Sequence, residues 1–374
     1  MTDQEYMRRA IALAEKGRGF TNPNPLVGAV IVKDGRMIGE GYHARYGDLH
    51  AERNALANLK EPAEGATMYV TLEPCCHQGR QPPCTEAILE HKIQRVVVGS
   101  RDPNPLVAGK GISVLREAGV IVEEDFLREE CDALNPVFFH YITTRTPYVV
   151  AKYAMTADGK IATRTGASKW ITGEAARQKV QEMRAVYMGI MVGIGTVLAD
   201  DPMLNVRIGD KRSPVRIICD SNLRLPLDSR ICKTAKDYRT IVACATDNPE
   251  KKRLLEELGV EILCVSDEKG QVELKKLMSL LGEMGIDSVF IEGGGCLNDS
   301  ALRAGIVNKI YAFVAPKIFG GEQAKTPVSG LGVELPEQAV RLKLQGVERI
   351  GEDLLLEYTT QNNSFTINEK TAGR

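Results

Sequence analysis

The sequence predicts an α/β protein of two domains, from its length, from alternating strand and helix patterns, and from a polar break near its middle. It has 374 residues, whereas single domains hold roughly 100–200 residues. Short apolar runs alternate with amphipathic helical patterns, which is typical of mostly parallel sheets covered by helices. The polar stretch 143–147 interrupts this alternation, and Pro147 disfavours helix at the residue before it. We therefore expect domains at residues 1–143 and 147–361, followed by a polar tail at 362–374.

Periodicity and turn residues predict the elements of the first half. A helix at 3–16 follows from the helical spacing of Tyr6, Ala10 and Leu13, with glycines at 17 and 19 to end it. The Asp34-Gly35 turn predicts a hairpin of strands at 26–32 and 37–42. A second helix begins near residue 50, where alanines and leucines recur at helical spacing. Further strands are predicted at 67–72, 95–99 and 120–123, and further helices at 84–91, 111–118 and 126–141.

The second half resumes the strand–helix alternation from residue 148 onward. Strands are predicted at 148–154, 189–192, 215–219, 240–245, 260–265, 288–291 and 309–314, with a last edge strand at 354–358. Helices are predicted between them at 174–184, 250–258, 273–284 and 297–304. This order predicts a mostly parallel sheet with helices on both faces.

Composition and charge narrow the class of protein. The hydrophobic fraction is 43% and the charged fraction 26%, both ordinary for a globular protein with a sizeable core. Lys and Arg number 48 against 49 Asp and Glu, which argues against the strongly basic surface of a nucleic-acid-binding protein. No apolar stretch suits a signal peptide or a membrane span. We therefore expect a cytoplasmic protein without nucleic-acid or membrane partners.

Nine cysteines, an odd number spread over a long chain, do not suggest a disulfide framework. Cys219, Cys244 and Cys264 lie in apolar, strand-like runs, and we expect them to be small buried residues. Cys75, Cys76 and Cys84 differ because they cluster along the chain. This cluster is the first candidate for chemistry.

A zinc site is predicted from His50, Cys75 and Cys84. One imidazole and two thiolates form a soft three-ligand set that zinc accepts, with a fourth position left for water. Cys84 opens a predicted helix, and a helix N-terminus favours the thiolate. Glu52 lies two residues after His50, too close to be a comfortable second ligand. We assign it the general acid/base that moves the proton of the water to a leaving amine.

The motif is more specific as a combination than in its parts. The H-x-E tripeptide alone arises by chance, but H-A-E followed by P-C and a later Cys is the signature of zinc-dependent deaminases. Eight residues separate the two cysteines here, whereas the short form of the signature has two. The alternative is a structural zinc site or buried thiols. A structural site needs a fourth protein ligand, which Cys76 or His77 could supply.

The long cysteine spacing is one of several runs that together resemble the bifunctional deaminase–reductases of riboflavin biosynthesis. These runs are residues 21–28, 50–52, 71–84 and 102–107 in the first half and 152–160, 168–173, 195–207 and 292–295 in the second. The resemblance extends from about residue 3 to 358. It implies a cytidine-deaminase-like α/β/α domain followed by a dihydrofolate-reductase-like α/β domain. The implied substrate is a diaminopyrimidine that carries a ribosylamino 5′-phosphate.

Five polar residues of the first half are assigned to this substrate, on the resemblance and on their places at predicted strand ends and turns. They are Asn24, His43, Arg80, Asp102 and Asn104. Arg80 lies between the two cysteine ligands and is a candidate for the phosphate. The alternative for Asn24, Asp102 and Asn104 is plain turn formation, because each precedes a proline.

The second half lacks a Rossmann fingerprint and a Walker loop. Instead, the apolar run 288–291 leads through Glu292 into three glycines and a helix. Such glycines let a phosphate approach backbone N–H groups at the positive end of a helix, although glycine-rich turns of this kind are also plain structure. The resemblance implies that this half binds NADPH and reduces the ribosyl side chain to ribityl.

The resemblance assigns two sets of residues to this second reaction. The NADPH set is Ala154, Trp170, Thr196, Asp200, Ser221, Gly294 and Gly295. The substrate set is Lys152, Ser168, Arg184, Leu204, Arg207 and Glu292. Without the resemblance, Trp170 could be a core aromatic residue and Arg184 a solvated helix charge.

Two other functions stay open at this point. The protein could be a deaminase whose second domain is a non-catalytic scaffold, although Lys152, Asp200 and the glycine run argue against that. It could also be a zinc-dependent protein that edits or binds nucleic acid, which the charge balance disfavours. In each case we expect a homo-oligomer, a dimer or a tetramer.

Overall fold

The computed structural model describes residues 1–78, 81–105, 107–209 and 211–361. The chain divides into two compact units, Met1–Thr146 and Pro147–Arg374. Each unit is built on its own sheet with helices packed against it, so the predicted two-domain α/β fold is confirmed. The predicted tail at 362–374 lies outside the described residues. In the part of the chain that is described, no helix has the length and apolarity to cross a bilayer.

The N-terminal unit contains six α-helices, one short 3₁₀ helix at Glu15–Gly17 and five strands among its described residues. The helices are α1 Asp3–Ala14, α2 Ala51–Ala57, α3 Cys84–Glu90, α4 Lys110–Glu117, α5 Arg128–Asp132 and α6 Pro136–Thr144. The strands are β1 Gly28–Lys33, β2 Arg36–Tyr42, β3 Thr67–Leu72, β4 Arg95–Ser100 and β5 Ile121–Glu123. The sheet order is β2-β1-β3-β4-β5, in which β1 is antiparallel to its neighbours and β3, β4 and β5 are parallel.

Alternate residues of the central strands face two separate cores. On one face, Val30 and Val32 of β1 pack with α1. On the other face, Ala29 and Ile31 pack with helices α2, α3 and α4. This two-residue period sandwiches the sheet between helices, as expected for an α/β/α domain.

The single helix predicted over 126–141 is wrong. The structure has two helices there, α5 and α6, separated at Asn135. Pro136 occupies the first turn of α6 and cannot donate a backbone hydrogen bond, so it starts a helix rather than continuing one. The Asn135 side chain instead pairs with both the backbone N–H and the C=O of Leu26, each at 2.8 Å.

The C-terminal unit contains six α-helices, one short 3₁₀ helix at Pro336–Gln338 and nine strands among its described residues. The helices are α7 Glu174–Val186, α8 Ile194–Asp200, α9 Arg230–Lys233, α10 Pro249–Glu257, α11 Leu274–Glu283 and α12 Gly295–Arg303. The strands are β6 Tyr148–Thr156, β7 Gly189–Gly193, β8 Val215–Cys219, β9 Thr240–Cys244, β10 Val260–Cys264, β11 Ser288–Ile291, β12 Val307–Ala315, β13 Leu342–Ile350 and β14 Asp353–Thr360.

The order of this sheet is β10-β9-β8-β7-β11-β6-β12-β14-β13. The strands from β10 to β12 are parallel, and β14 and β13 continue the sheet as antiparallel strands. Strands β6, β7 and β11 are neighbours although they are distant in sequence, so their carboxyl ends meet at one edge. Ligands of open α/β sheets bind at such points, where the strand order reverses.

Two predictions are wrong for residues near the two edges of this sheet: which strand ends the sheet, and the burial of Cys264. Residues 354–358 were expected to form the last edge strand, but β14 pairs on both sides and the edge strand is β13. Strand β13 was missed because a bulge between Leu344 and Gly346 interrupts its apolar alternation and because most of its residues are exposed. Cys264 is exposed rather than buried, since it ends β10 at the opposite edge, whereas Cys244 is buried.

Candidate active sites

Three elements of the N-terminal unit bring the predicted zinc ligands together. His50 is the N-cap residue of α2, Cys75 follows the end of β3, and Cys84 is the first residue of α3. His50 Nδ1 lies 3.5 Å from the sulfur of Cys75 and 3.5 Å from that of Cys84. The three donor atoms lie within 4.8 Å of one another. One imidazole and two thiol donors at this separation fit a zinc ion.

The electrostatics of this cluster favour a thiolate at Cys75 and a protonated thiol at Cys84. The hydrogen bond to Cys75, followed by burial, raises the pKa of Cys84 well above its usual range, so the thiolate expected at Cys84 from its place at a helix N-terminus is not favoured there. The hydrogen bond from the Cys84 thiol lowers the pKa of Cys75 to about 4, against the effect of burial and with support from His50. The backbone N–H of Cys84 also donates to the Cys75 sulfur, at 3.4 Å. The thiolate is the form that binds metal.

Neither Cys76 nor His77 belongs to the donor cluster found among the described residues. His77 instead lines the adjacent cavity, and its buried Nδ1 has no hydrogen-bond partner in the described part of the chain. The cluster therefore offers three protein donors, which matches an open catalytic site better than a closed structural one.

Glu52 is buried beside the donors without being one of them. It is the second residue of α2 and is 4% exposed. Burial, followed by the negative charge of Cys75, raises the pKa of Glu52 to about 7. A carboxyl group in this position can both accept and return a proton near neutral pH.

A cavity of about 280 Å³ opens onto Glu52 and the donors. Four of the five residues assigned to the pyrimidine substrate line it, namely Asn24, His43, Asp102 and Asn104. The fifth, Arg80, lies outside the described residues. Among the lining groups, burial raises the pKa of Asp102 to about 7.

His43 orients Asn24 at the wall of this cavity. His43 Nδ1 donates to the carbonyl oxygen of Leu49 at 3.0 Å, since a carbonyl can only accept. Burial lowers the pKa of His43 and favours the neutral ring. Its Nε2 therefore accepts from the side-chain nitrogen of Asn24, 3.1 Å away. This leaves the Asn24 oxygen to accept hydrogen bonds from a ligand.

Sequence reasoning missed two supporting residues of this site. Arg53, next to Glu52 on α2, donates to the carbonyls of Pro82 and Pro83 at 3.0 and 2.8 Å and so holds the turn before Cys84. Glu73 is buried just before Pro74 and Cys75. An acidic residue directly after an apolar strand was the only sequence signal for Glu73, and it does not reveal a role. The partners of Arg53 are about thirty residues away in sequence, so no local pattern could reveal them.

The second candidate site lies at the carboxyl end of β11, which runs between β6 and β7. Glu292 follows β11. Its side chain is 6% exposed and receives a two-point ion pair from Arg184 of α7. Lys152 of β6 approaches the same carboxylate at 3.1 Å. The remaining Arg184 nitrogen donates to the carbonyl of Asn205 at 3.1 Å. Arg184 is therefore not a solvated helix charge, and the three assigned substrate residues form one buried cluster.

Burial would raise the pKa of Glu292, but the charges of Lys152 and Arg184 outweigh it and lower that pKa to about 2. Because the pKa is lower in the folded protein than its ordinary 4.5, the ionised form stabilises the fold above about pH 4.5. This contribution, about 3 kcal/mol, is lost as the pH falls towards 2.

We expect Glu292→Gln to abolish this pH-dependent contribution to stability. Thermal unfolding of wild type and variant at pH 5 and pH 3 checks this. The stability difference between the two proteins should be smaller at pH 3 than at pH 5, and a difference of the same size at both pH values would contradict the prediction.

The glycine run forms a backbone cradle beside Thr196. Gly293 and Gly294 have φ angles of +128° and +84°, which other residues rarely adopt. A Cβ atom on them would lie 3.7 and 3.5 Å from the hydroxyl of Thr196. Thr196 lies in the first turn of α8, and Gly294 is the N-cap of α12. Two helix N-termini with unobstructed backbone fit the phosphates of a dinucleotide.

The other residues assigned to this site lie in several surroundings. Trp170 is 62% exposed, and Arg177 lies 4.6 Å from its ring centre, so it is not a core aromatic residue. Asp200 pairs with Lys169 at 3.5 Å. The Ser221 hydroxyl donates to Gln271 and accepts from the N–H of Val272, both at 3.2 Å.

The remaining assigned residues are placed as follows. Gly295 packs against Ser329, leaving no room for a Cβ. Leu204 is buried with a positive φ, Arg207 is exposed, and Ser168 and Ala154 are half-buried.

Comparison with known families separates the same two units. Residues 1–100 match the cytidine and deoxycytidylate deaminase zinc-binding region. Residues 147–356 match the RibD C-terminal domain. The riboflavin biosynthesis protein RibD of Actinobacillus pleuropneumoniae is 58% identical over 358 residues, covering 96% of this chain and 95% of that protein. The protein of the same name from Aquifex aeolicus is 44% identical over 355 residues, covering 95% and 97%.

Solved structures resemble the chain over the same length. Acinetobacter baumannii RibD aligns with a TM-score of 0.86 at 40% identity, covering 96% of this chain and 98% of that one. A diaminohydroxyphosphoribosylaminopyrimidine deaminase/5-amino-6-(5-phosphoribosylamino)uracil reductase from Thermotoga maritima aligns with a TM-score of 0.82 at 39% identity and the same coverage. Both of the described sites lie within these similarities.

Proposed function

This chain belongs to the RibD family of riboflavin biosynthesis proteins, and we propose that it catalyses two successive reactions on one pyrimidine ribotide. The N-terminal unit deaminates 2,5-diamino-6-ribosylamino-4(3H)-pyrimidinone 5′-phosphate hydrolytically. The C-terminal unit then reduces the ribosyl side chain to ribityl with NADPH. The observation that carries this proposal is the set of three soft donors beside a buried carboxyl group on a cavity.

In the first reaction, water adds to the ring carbon that bears the amine, and the amine leaves as ammonia. Zn²⁺ held by His50, Cys75 and Cys84 would supply a coordinated water whose pKa lies near neutrality. Glu52 accepts the proton of the attacking water and delivers it to the leaving amine. The oxygen stays on the ring, so that the net change is one amine replaced by one oxygen.

The cavity residues orient the ring for this attack. The Asn24 oxygen accepts from ring N–H groups, because His43 already holds the Asn24 nitrogen. Asp102 and Asn104 also line the cavity and supply polar contacts to the ring and ribose. Arg80 is assigned to the phosphate by charge and by its place between the cysteines.

In the second reaction, NADPH would supply a hydride to C1′ of the opened sugar. Gly293, Gly294 and Thr196 hold the cofactor phosphates against two helix N-termini. The remaining residues of the assigned NADPH set, Ala154, Trp170, Asp200, Ser221 and Gly295, complete its site in this proposal. Arg207 is exposed and pairs with the substrate phosphate.

The cluster of Lys152, Arg184 and Glu292 faces the sugar. Glu292 keeps both cations fixed, so the ammonium and guanidinium meet the substrate in one geometry. The assigned Ser168 and Leu204 complete the substrate contacts.

Incubating the purified protein with the diaminopyrimidine ribotide, with and without NADPH, tests this function by mass spectrometry. We expect an amine-for-oxygen exchange without NADPH and a gain of two hydrogens after NADPH is added. Removing zinc with a chelator should stop only the exchange, and adding zinc should restore it. Exchange without reduction would leave the second unit as a scaffold. No exchange by zinc-loaded protein would overturn the deaminase assignment.

We also propose that the protein acts in the cytoplasm as a homo-oligomer, a dimer or a tetramer. The nine-residue strand β13 ends the sheet and exposes Leu344 and Val347. Long edge strands with exposed apolar residues are commonly covered by another chain. Light scattering at micromolar concentration should give at least twice the 41.0 kDa chain mass, and a monomer would contradict this.

A further inference from the structure

Glu73 has an environment that the proposed chemistry does not explain. It lies between β3 and the predicted ligand Cys75 and is 4% exposed. Four backbone N–H groups point at its carboxylate. One oxygen accepts from Gly111 at 3.1 Å and Ile112 at 3.3 Å. The other accepts from Gly109 at 3.0 Å and, at a longer 3.4 Å, from Asp102.

Two of these donors belong to the first turn of α4, where backbone N–H groups have no partner within the helix. A side chain at the N-cap usually satisfies them, but the N-cap here is Gly109, which has none. Glu73 takes this role from a different part of the chain. Its negative charge also suits the positive end of the helix.

The other donors, Gly109 and Asp102, connect Glu73 to the part of the cavity lining that Asp102 and Asn104 form, which we call the substrate wall. Asp102 and Asn104 both line the cavity, and the Asp102 carboxylate accepts from the N–H of Asn104 at 2.8 Å. The backbone of α4 also approaches the Cys75 segment closely at Gly111. A Cβ atom on Gly111 would lie 2.1 Å from the carbonyl oxygen of Pro74, so only glycine fits there. One carboxylate thus joins the segment carrying Cys75 to the segments carrying Asp102 and the start of α4.

We propose that Glu73 is a positioning residue for deamination, which holds Asp102 and Asn104 at the distance from the metal donors that the pyrimidine ring requires. Glu73 itself lines the cavity, but both of its carboxylate oxygens accept from backbone donors, so it acts by holding Asp102 and the start of α4 in place. This inference rests on the proposed deaminase function and deepens it.

The site requires a carboxylate. Glutamine has nearly the same shape, but it has one acceptor oxygen, and its NH₂ group would face backbone donors instead of accepting from them. Aspartate is one methylene shorter and would not reach the same donors. We therefore choose Glu73→Gln as the test, with Glu117→Gln as a matched control, because Glu117 is an exposed residue of the same helix.

Kinetics of the full-length zinc-loaded protein separate positioning from folding and from metal binding. We expect Glu73→Gln to raise the deaminase KM about 10- to 100-fold, the size expected for lost hydrogen bonds to a charged group. The deaminase kcat should fall less than that. Zinc content should stay at the wild-type value, as should reduction of the deaminated intermediate by the same chain. Glu117→Gln should match wild type throughout.

Loss of zinc with Glu73→Gln would overturn the inference, because the residue would then serve Cys75. Wild-type kinetics in that variant would overturn it as well. If wild type itself does not deaminate the ribotide, the proposed function fails first, so the two failures are distinguishable.

Amide hydrogen exchange tests the same idea without any variant. First-turn amides of a helix ordinarily exchange fast because they lack helix partners. We expect the Gly111 and Ile112 amides of wild type to be protected, since Glu73 accepts from both. Fast exchange at both amides would overturn the inference even if Glu73→Gln cannot be purified.

Discussion

Replacing Glu52 with glutamine is expected to lower the deaminase kcat by about 10²- to 10⁴-fold, the usual contribution of a general acid/base. The amide can no longer accept the proton of the water or pass it to the leaving amine. Glutamine nearly preserves the shape of this buried side chain, so the His50, Cys75 and Cys84 donors should keep their zinc. Zinc content by elemental analysis and the rate of ammonia release measure the two properties separately.

The bifunctional chain supplies an internal control for this variant. Reduction of the deaminated intermediate depends on the C-terminal unit and should proceed at the wild-type rate. Glu86→Gln, an exposed residue of α3, provides a matched variant that should change neither activity. If Glu52→Gln loses its zinc as well, Glu52 contributes to the metal site and the assigned acid/base role is wrong.

Replacing Glu292 with glutamine is expected to destabilise the C-terminal unit by about 3–5 kcal/mol, the cost of removing one partner of a buried ion pair. Lys152 and Arg184 would remain, with side chains that are only 13% exposed and without a carboxylate at this position. Reductase activity should fall by at least about 100-fold, because both cations lose their fixed geometry. Denaturant unfolding and NADPH oxidation measure the two effects.

Deamination should be unchanged in Glu292→Gln, since the N-terminal unit has its own core. Glu182→Gln is the matched control, because Glu182 is an exposed residue of α7, the helix that carries Arg184. Wild-type stability and reduction in Glu292→Gln would show that the cluster contributes to neither the fold nor the substrate site.

The chemistry of the first site was predictable because its residue types are rare and their spacing is local. His50 and Glu52 lie at the start of one helix, Cys75 lies shortly after β3, and Cys84 is the first residue of α3. The glycine run that leads into α12 was visible for a similar reason, because its three glycines are adjacent and follow an apolar strand, although that pattern alone also fits plain structure. Most helix and strand positions followed from periodicity. The exceptions were the helix that Pro136 divided, the short helices α8 and α9, which were not predicted, and the edge strand β13, whose alternation is interrupted by a bulge.

Other features depended on contacts between distant residues. Arg184 and Glu292 are 108 positions apart, and the pattern of α7 alone allowed a solvated arginine. Trp170 could equally have been a core residue until the fold left it exposed. Glu73 carried no motif that distinguishes a cap of α4 from an ordinary strand end, because its four partners are backbone N–H groups that any sequence would offer.

The amino-acid sequence by itself determined the two-domain α/β class, the donor set His50, Cys75 and Cys84, and the carboxyl group Glu52 beside them. These follow from side-chain chemistry and from periodicities of two and 3.6 residues, which are properties of short segments. Only the tertiary structure decided which charges are paired, which strand ends the sheet, and which carboxylate supports the wall of the cavity. Those outcomes depend on which distant segments become neighbours, because burial and long-range hydrogen bonds form only when these segments pack together.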